Sequence, residues 1–369
     1  MKRTVAIILM AVLCVGGFFG LSALKQEEPV VDVAMQAMGI PGDSPIATVN
    51  GVPISVREYG FWVAFTADTL SYYSGGQALD WEMEEDGFTL RDAIESEAMM
   101  SAKLYALVES KMQELGLSLS TEALSQRDAL IEQTRQQMGG QEGLMDWLEY
   151  NGLSYEEFVR QSTVPFCYDA ISAALGDTTP PTTAELEQYI TDNDIMRTKH
   201  ILFMTIDPKT YQPLEESVIA EKKALAETVL AQLQASTDLE ADFDKLMHEH
   251  SEDGGLAANP DGYTFTGSDN FVTAFKDGTR ALEYGQISGI VESEWGYHIL
   301  LRLDPASEEL AADVVESRIV DQTNQLVSDW MAETEVEKTE VYDSFDPKVY
   351  YDALVALRAE QEARQDTAE

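Results

Sequence analysis

The run Gly176-Asp177-Thr178-Thr179-Pro180-Pro181 constrains the fold more than any other stretch, because paired prolines remove two backbone donors and neither a helix nor a central strand continues through them. The chain therefore changes unit there. Its 369 residues, 44% of them hydrophobic, suffice for two or three compact units with real cores. Before the break, helical patterns cover about 90–115, 121–138, 144–150 and 154–175, punctuated by Gly116, Gly139-Gly140 and Gly152. Ser154 with Glu157 reads as a capping box, as do Ser55 with Glu58 and, just past the break, Thr182 with Glu185. Ahead of the helices, Ile46–Val49 and Val52–Ile54 flank Asn50-Gly51, a dipeptide suited to the positive backbone angles of a tight hairpin turn.

After the break the pattern is α+β. His200–Thr205 and Tyr297–Asp304 are short, apolar and strand-like, 215–234 has helical periodicity, and a short helix is predicted near 270–282. A helix returns over about 310–334, followed by an alternating segment, Val336–Tyr342, and a polar tail from Arg358 that reads as a frayed helix or disorder.

The N-terminus begins Met1-Lys2-Arg3 and runs apolar from Thr4 to Leu24, about 30 Å as a helix, which matches a bilayer core. Leading cations favour a cytoplasmic start and place the rest of the chain outside the cytoplasm. A cleaved signal peptide is the alternative, since Leu21-Ser22-Ala23 is a passable cleavage site. Residues 26–45 mix acid, Pro and Gly without period and read as a tether. The net charge of −42 repels nucleic-acid phosphates, so nucleic-acid binding is excluded as a function class. Cys14 and Cys167 form no plausible pair. Ala11-Val12-Leu13 puts a bulky Leu directly before Cys14, where a bacterial lipid-attachment motif takes a small residue. His248 and His250, two apart on a helix, do not converge on a metal. No P-loop, nucleophile elbow or zinc-protease helix is present, and neither metal nor cofactor is expected.

Four motifs then occur in order between about Met196 and Pro305: Lys199-His200-Ile201-Leu202; Ser251-Glu252-Asp253; Asp261-Gly262-Tyr263-Thr264-Phe265 with Phe271 and Phe275; and Gly285-Gln286-Ile287-Ser288 ending in Gly296-Tyr297-His298-Ile299. Together they resemble a parvulin-type peptidyl-prolyl cis/trans isomerase domain. Val49-Asn50-Gly51 ahead of a helix, and the late return of a helix, resemble the split chaperone domain of the PrsA and SurA foldases. The resemblance implies a parvulin domain inserted in a mainly helical chaperone-like domain built from both chain ends. Its boundaries would be 1–25 anchor or signal, 26–45 linker, 46–179 helical domain, 180–194 connecting helix, 195–305 parvulin domain, 306–357 returning segment and 358–369 tail.

It further implies isomerisation of X-Pro bonds in unfolded or partly folded secreted polypeptides, a membrane held through the N-terminal segment, and dimerisation through the helical domain. His200, Asp253 and His298 would form the catalytic polar network, with Phe265, Phe271, Phe275, Leu202 and Trp295 binding substrate. The residues alone leave alternatives open. The histidines would equally serve as a buried pair satisfying each other, Asp253 as a turn cap, and Phe271 with Phe275 as a core stripe on one helix. A holdase whose parvulin module is structural or peptide-binding fits the same sequence.

Overall fold

The computed structural model describes residues 31–366. The apolar N-terminal run, Cys14 and the last three residues lie outside these. Among the described residues no helix is long and apolar enough to cross a membrane.

In chain order the elements are α1 (Val33–Met38), β1 (Pro45–Val49), β2 (Val52–Ser55), α2 (Val56–Tyr73), β3 (Glu84–Glu85), β4 (Phe88–Thr89), α3 (Leu90–Glu114), α4 (Thr121–Gln137), α5 (Gln141–Asn151) and α6 (Tyr155–Leu175). They continue with α7 (Thr183–Asp192), β5 (Ile195–Met204), α8 (Glu216–Gln234), α9 (Leu239–His250), β6 (Tyr263–Thr266), α10 (Thr273–Arg280), β7 (Val291–Ser293) and β8 (Gly296–Leu303). The last four are α11 (Glu308–Glu333), β9 (Glu337–Lys338), α12 (Glu340–Ser344) and α13 (Pro347–Asp366). The class is α+β, with two units: one joins residues up to Gly176 to those from Ile319, the other spans Asp177–Arg318.

In the discontinuous, helical unit, Asn50 and Gly51 take φ of 50° and 82°, closing β1 onto β2 with Val49 opposite Val52. β9 adds to the free edge of β1, with Ala47 opposite Lys338. Ile46, Ile54, Tyr59, Val63, Ile94 and Leu107 are buried there with Tyr350 and Leu354 from α13. Gly60 is required at that contact, because a Cβ at this position would stand 2.3 Å from the Tyr350 ring. A second cluster, with Ile131, Leu144, Leu148 and Phe158, joins α4, α5 and α6.

Several sequence expectations need correction. The residues that read as a tether include α1, capped by Asp32 and closed by Gly39 in the left-handed region, with Val33 and Ala34 buried. The alternating segment Val336–Tyr342 pairs over two residues only and then turns into α12, since Thr339 caps the backbone of Val341. The tail from Arg358 is neither frayed nor disordered through Arg364. Arg358 donates to the Tyr150 carbonyl at 2.8 Å and to Asp68 Oδ2 at 2.9 Å, and Gln361 donates to the Asp146 carbonyl at 2.8 Å. Their polar heads find partners while their stems pack, so polarity alone is a poor guide to order here.

The contiguous unit carries a four-stranded antiparallel sheet, order β6-β5-β8-β7. α8 and α9 cover one face through Val229, Leu233, Phe243 and Met247. Ahead of the sheet, Thr182 and Glu185 form a reciprocal capping box at α7, with the Glu185 carboxylate accepting the Thr182 N–H at 2.7 Å. Thr182→Ala is expected to cost about 1 kcal/mol, read as faster amide exchange confined to the first turn of α7.

Candidate functional site

Side chains along β5 and β8 alternate between two faces. Ile201, Phe203, Ile299 and Leu301 enter the core under α8 and α9. The intervening residues face the other way, where Leu300 meets Phe275 of α10. The register sets His200 opposite Leu300 and Leu202 opposite His298, so the two histidines lie diagonally across the strand pair. Their rings stack at 5.5 Å and 14°, with Nδ1 facing Nδ1 at 3.2 Å.

The polar chain extends both ways. His298 Nε2 lies 2.7 Å from Ser293 Oγ, which also accepts the Trp295 N–H at 3.1 Å. His200 Nε2 lies 3.1 Å from Asp253 Oδ2, an ion-pair distance at which the N–H direction misses good hydrogen-bond alignment. Tyr263 donates its hydroxyl to the same Oδ2 at 2.6 Å, and the Gly255 N–H donates to Oδ1 at 3.0 Å. Asp253 is placed by its loop: Ser251 Oγ accepts the Leu202 N–H at 3.1 Å, and the Glu252 N–H donates to the Leu202 carbonyl at 2.8 Å.

Charge is unevenly held along this chain. Burial pushes the Asp253 carboxyl up, but His200, the Tyr263 hydroxyl and the Gly255 N–H together outweigh it and bring it down to about 2. Burial, then the neighbouring His200, lowers His298 to about 3, so at neutral pH its imidazole is uncharged. One continuous polar run therefore leads from Ser293 through the two imidazoles to the Asp253 carboxylate.

An aromatic wall stands beside the network. Phe275 sets its edge to His200 at 5.1 Å and to His298 at 5.9 Å, and stacks on Phe271 at 5.3 Å and 17°. Phe265 lies 4.8 Å from Phe271 and 5.5 Å from Phe275. Phe265, Phe275 and Leu202 are buried, whereas Phe271, Tyr263, Asp253 and Trp295 retain exposure. Phe271 precedes α10 rather than sharing a helix with Phe275, because the helix starts at Thr273. Trp295 joins the network through its backbone alone, and its ring packs on Tyr211 at 5.8 Å. The structure thus gathers His200, His298, Asp253, Phe265, Phe271 and Phe275, with Leu202 beside them, and turns the Trp295 ring to a different neighbour.

The sequence motifs give Tyr263 and Ser293 no role of their own. Tyr263 stands two residues before Phe265 on β6, a spacing that shares a face. Ser293 carries the hydroxyl that closes the chain, across a short turn from β8. Among the described residues no group of His, Cys, Asp and Glu is arranged to hold a metal.

Residues 200–304 match the rotamase family described as the PPIC-type PPIASE domain. Chaperone SurA of Pseudoalteromonas atlantica is 35% identical over 107 residues, covering 28% of this chain and 24% of that protein. Foldase protein PrsA of a Geobacillus species is 28% identical over 149 residues, 37% of this chain and 52% of that one. The chain thus spans about a quarter to a half of the length of these curated relatives. The crystal structure of PrsA from Bacillus subtilis aligns at 18% identity and a TM-score of 0.29, covering 72% of this chain and 98% of that one.

Proposed function

Residues 200–304 are a parvulin domain of the PPIC type, in a chain related in sequence to PrsA foldases and SurA chaperones, and from that premise we propose that this protein isomerises X-Pro bonds in unfolded polypeptides outside the cytoplasm. The observation that carries the reading is the polar run from Ser293 through His298 and His200 to Asp253 lying against the wall of Phe265, Phe271 and Phe275.

Rotation about a peptide bond meets a barrier of about 18–20 kcal/mol because resonance puts double-bond character in C–N and negative charge on oxygen. Twisting removes both. A site that prefers the twisted imide accelerates rotation without any covalent step. Phe271, the partly exposed member of the wall, takes the pyrrolidine ring. The Asp253 carboxylate, with the uncharged His298 imidazole behind it, then sets a negative field near the imide oxygen. Such a field raises the planar, charge-separated form more than the twisted one. No group needs to accept or release a proton.

The apolar N-terminal run and its leading cations support a membrane anchor with the folded units on the outer side. A second reading, a holdase with a structural parvulin module, is favoured by the burial of His200, His298 and Phe275, all under 10% exposed.

Cis-to-trans relaxation of short X-Pro peptides separates the two. The full chain is expected to accelerate it, and Asp253→Asn and Phe271→Ala to lower kcat/KM on the order of 10- to 100-fold while staying folded. A folded chain that accelerates none of several peptides differing before proline would leave the holdase.

A further inference from the structure

We propose that a groove on the helical unit binds extended polypeptide segments in which a few apolar side chains are flanked by Lys or Arg. The inference rests on the chaperone part of the reading above and adds a substrate class to it.

The groove has a volume of about 750 Å³ and runs between α3, the end of α11, and the β9–α12 segment, large enough to bury several side chains. Its floor is Met99, Met100, Leu104 and Met331. Met100 is 46% exposed, so its side chain is free to meet a ligand, beside the partly buried Leu104 and Met331. Methionine is unbranched and polarisable, so such a floor re-packs around different side chains and suits a site that must accept many sequences.

The rim decides the flanking charge. Glu95 and Glu97 stand along it, and among the described residues neither forms a salt bridge. Glu95 accepts only a long bond, 3.5 Å, from the Tyr342 hydroxyl. Lys103 and Lys338 also line the groove, and Arg91 and Lys338 lie close enough to act on Glu95, but each of these cations has a nearer partner. Arg91 pairs with Glu82 and Asp346, each at 3.0 Å. Lys103 Nζ donates to the Met331 carbonyl at 2.6 Å, and Lys338 Nζ sits 3.8 Å over the Tyr342 ring. A segment bearing Lys or Arg beside its apolar residues therefore meets two carboxylates that no ion pair already holds. A segment bearing Asp or Glu meets the same carboxylates and the field of a chain with net charge −42.

The test uses the full chain and three fluorescent, proline-free peptides that share the same leucines and phenylalanines and differ only in Lys, Gln or Glu flanks. Omitting proline keeps the imide chemistry of the parvulin domain out of the measurement. In anisotropy titrations at low salt the Lys-flanked peptide is expected to bind about tenfold more tightly than the Glu-flanked one. That ratio should shrink as salt rises and fall close to one in the Glu95→Gln, Glu97→Gln double variant. Met100→Ser, at an exposed position and with no change of charge, should weaken all three peptides alike. Equal affinity for the three peptides, or a preference that survives the double variant, overturns the inference and leaves the chaperone reading standing. Failure of every peptide to bind overturns both.

Discussion

Arg160→Met is expected to cost the helical unit about 3–5 kcal/mol at pH 8 and visibly less at pH 5. Glu58 is 1% exposed, and its Oε2 is held by Arg160, whose Nε also reaches Glu109 at 2.7 Å. Burial pushes the Glu58 carboxyl up to about 7, with Arg160 acting against the rise. In the unfolded chain the same group ionises near 4.5. Between those values the folded state binds more protons than the unfolded one. The contribution of Glu58 is therefore favourable below pH 4.5 and is lost as pH rises through 7. Without Arg160 the carboxyl holds its proton to still higher pH. At pH 5 the variant buries a neutral acid, and at pH 8 it must bury an unpaired charge or remain protonated at a cost. Urea unfolding, followed by amide exchange in α2, α3 and α6, measures the two losses. Equal losses at both pH values would sink this account.

The second large effect lies in the parvulin unit and runs in the opposite direction with acid. Burial, with His200 beside it, lowers His298 from 6.5 to about 3. The unfolded chain then takes up a proton below pH 6.5 that the folded unit refuses. Stability is full above 6.5 and falls as pH drops toward 3, by on the order of 4 kcal/mol at the low end. Asp253, at about 2 when folded against 3.8 otherwise, adds loss of the same sign below pH 4. His298→Gln cannot charge. That variant should be less stable at pH 7, having lost the Ser293–His298–His200 chain, yet flatter between pH 6.5 and 4. Denaturant midpoints for α10 and β8, read by amide exchange across that range, decide it. A wild-type slope unchanged by the substitution would mean that His298 is not the group responsible.

How much of this is legible in the sequence depends on whether the cause is local. The Asn50-Gly51 turn and the Thr182–Glu185 box are written in a few neighbouring residues, and both form. Ser55 and Glu58 have the same spacing and only half of the box forms. Ser55 accepts the Glu58 N–H at 2.9 Å, while the Glu58 side chain turns to Arg160, 102 residues away. A partner that distant leaves no periodic trace. For the same reason α1 is hidden, since Val33 and Ala34 are buried on a helix that packs chiefly against α13, roughly three hundred residues away. At the candidate site, motif order points to the histidines and phenylalanines. The hydroxyls of Tyr263 and Ser293 need the strand register to be found.

The pairing of β1 with β9 joins Thr48 to Glu337, and the place left open by Gly60 is filled by Tyr350. On a ribosome, the helical unit is therefore made long before its last strand and its covering helix exist. Closing a loop of nearly three hundred residues is slow beside contacts within one contiguous stretch. The parvulin unit, with its sheet and flanking helices between residues 177 and 318, needs nothing from either chain end. Synthesis order thus delivers a finished contiguous unit within an unfinished helical one. The apolar surface of Ile46, Ile54 and Tyr59 waits in the open for Tyr350 and Leu354, which makes this chain, for that interval, the kind of polypeptide that chaperones recognise.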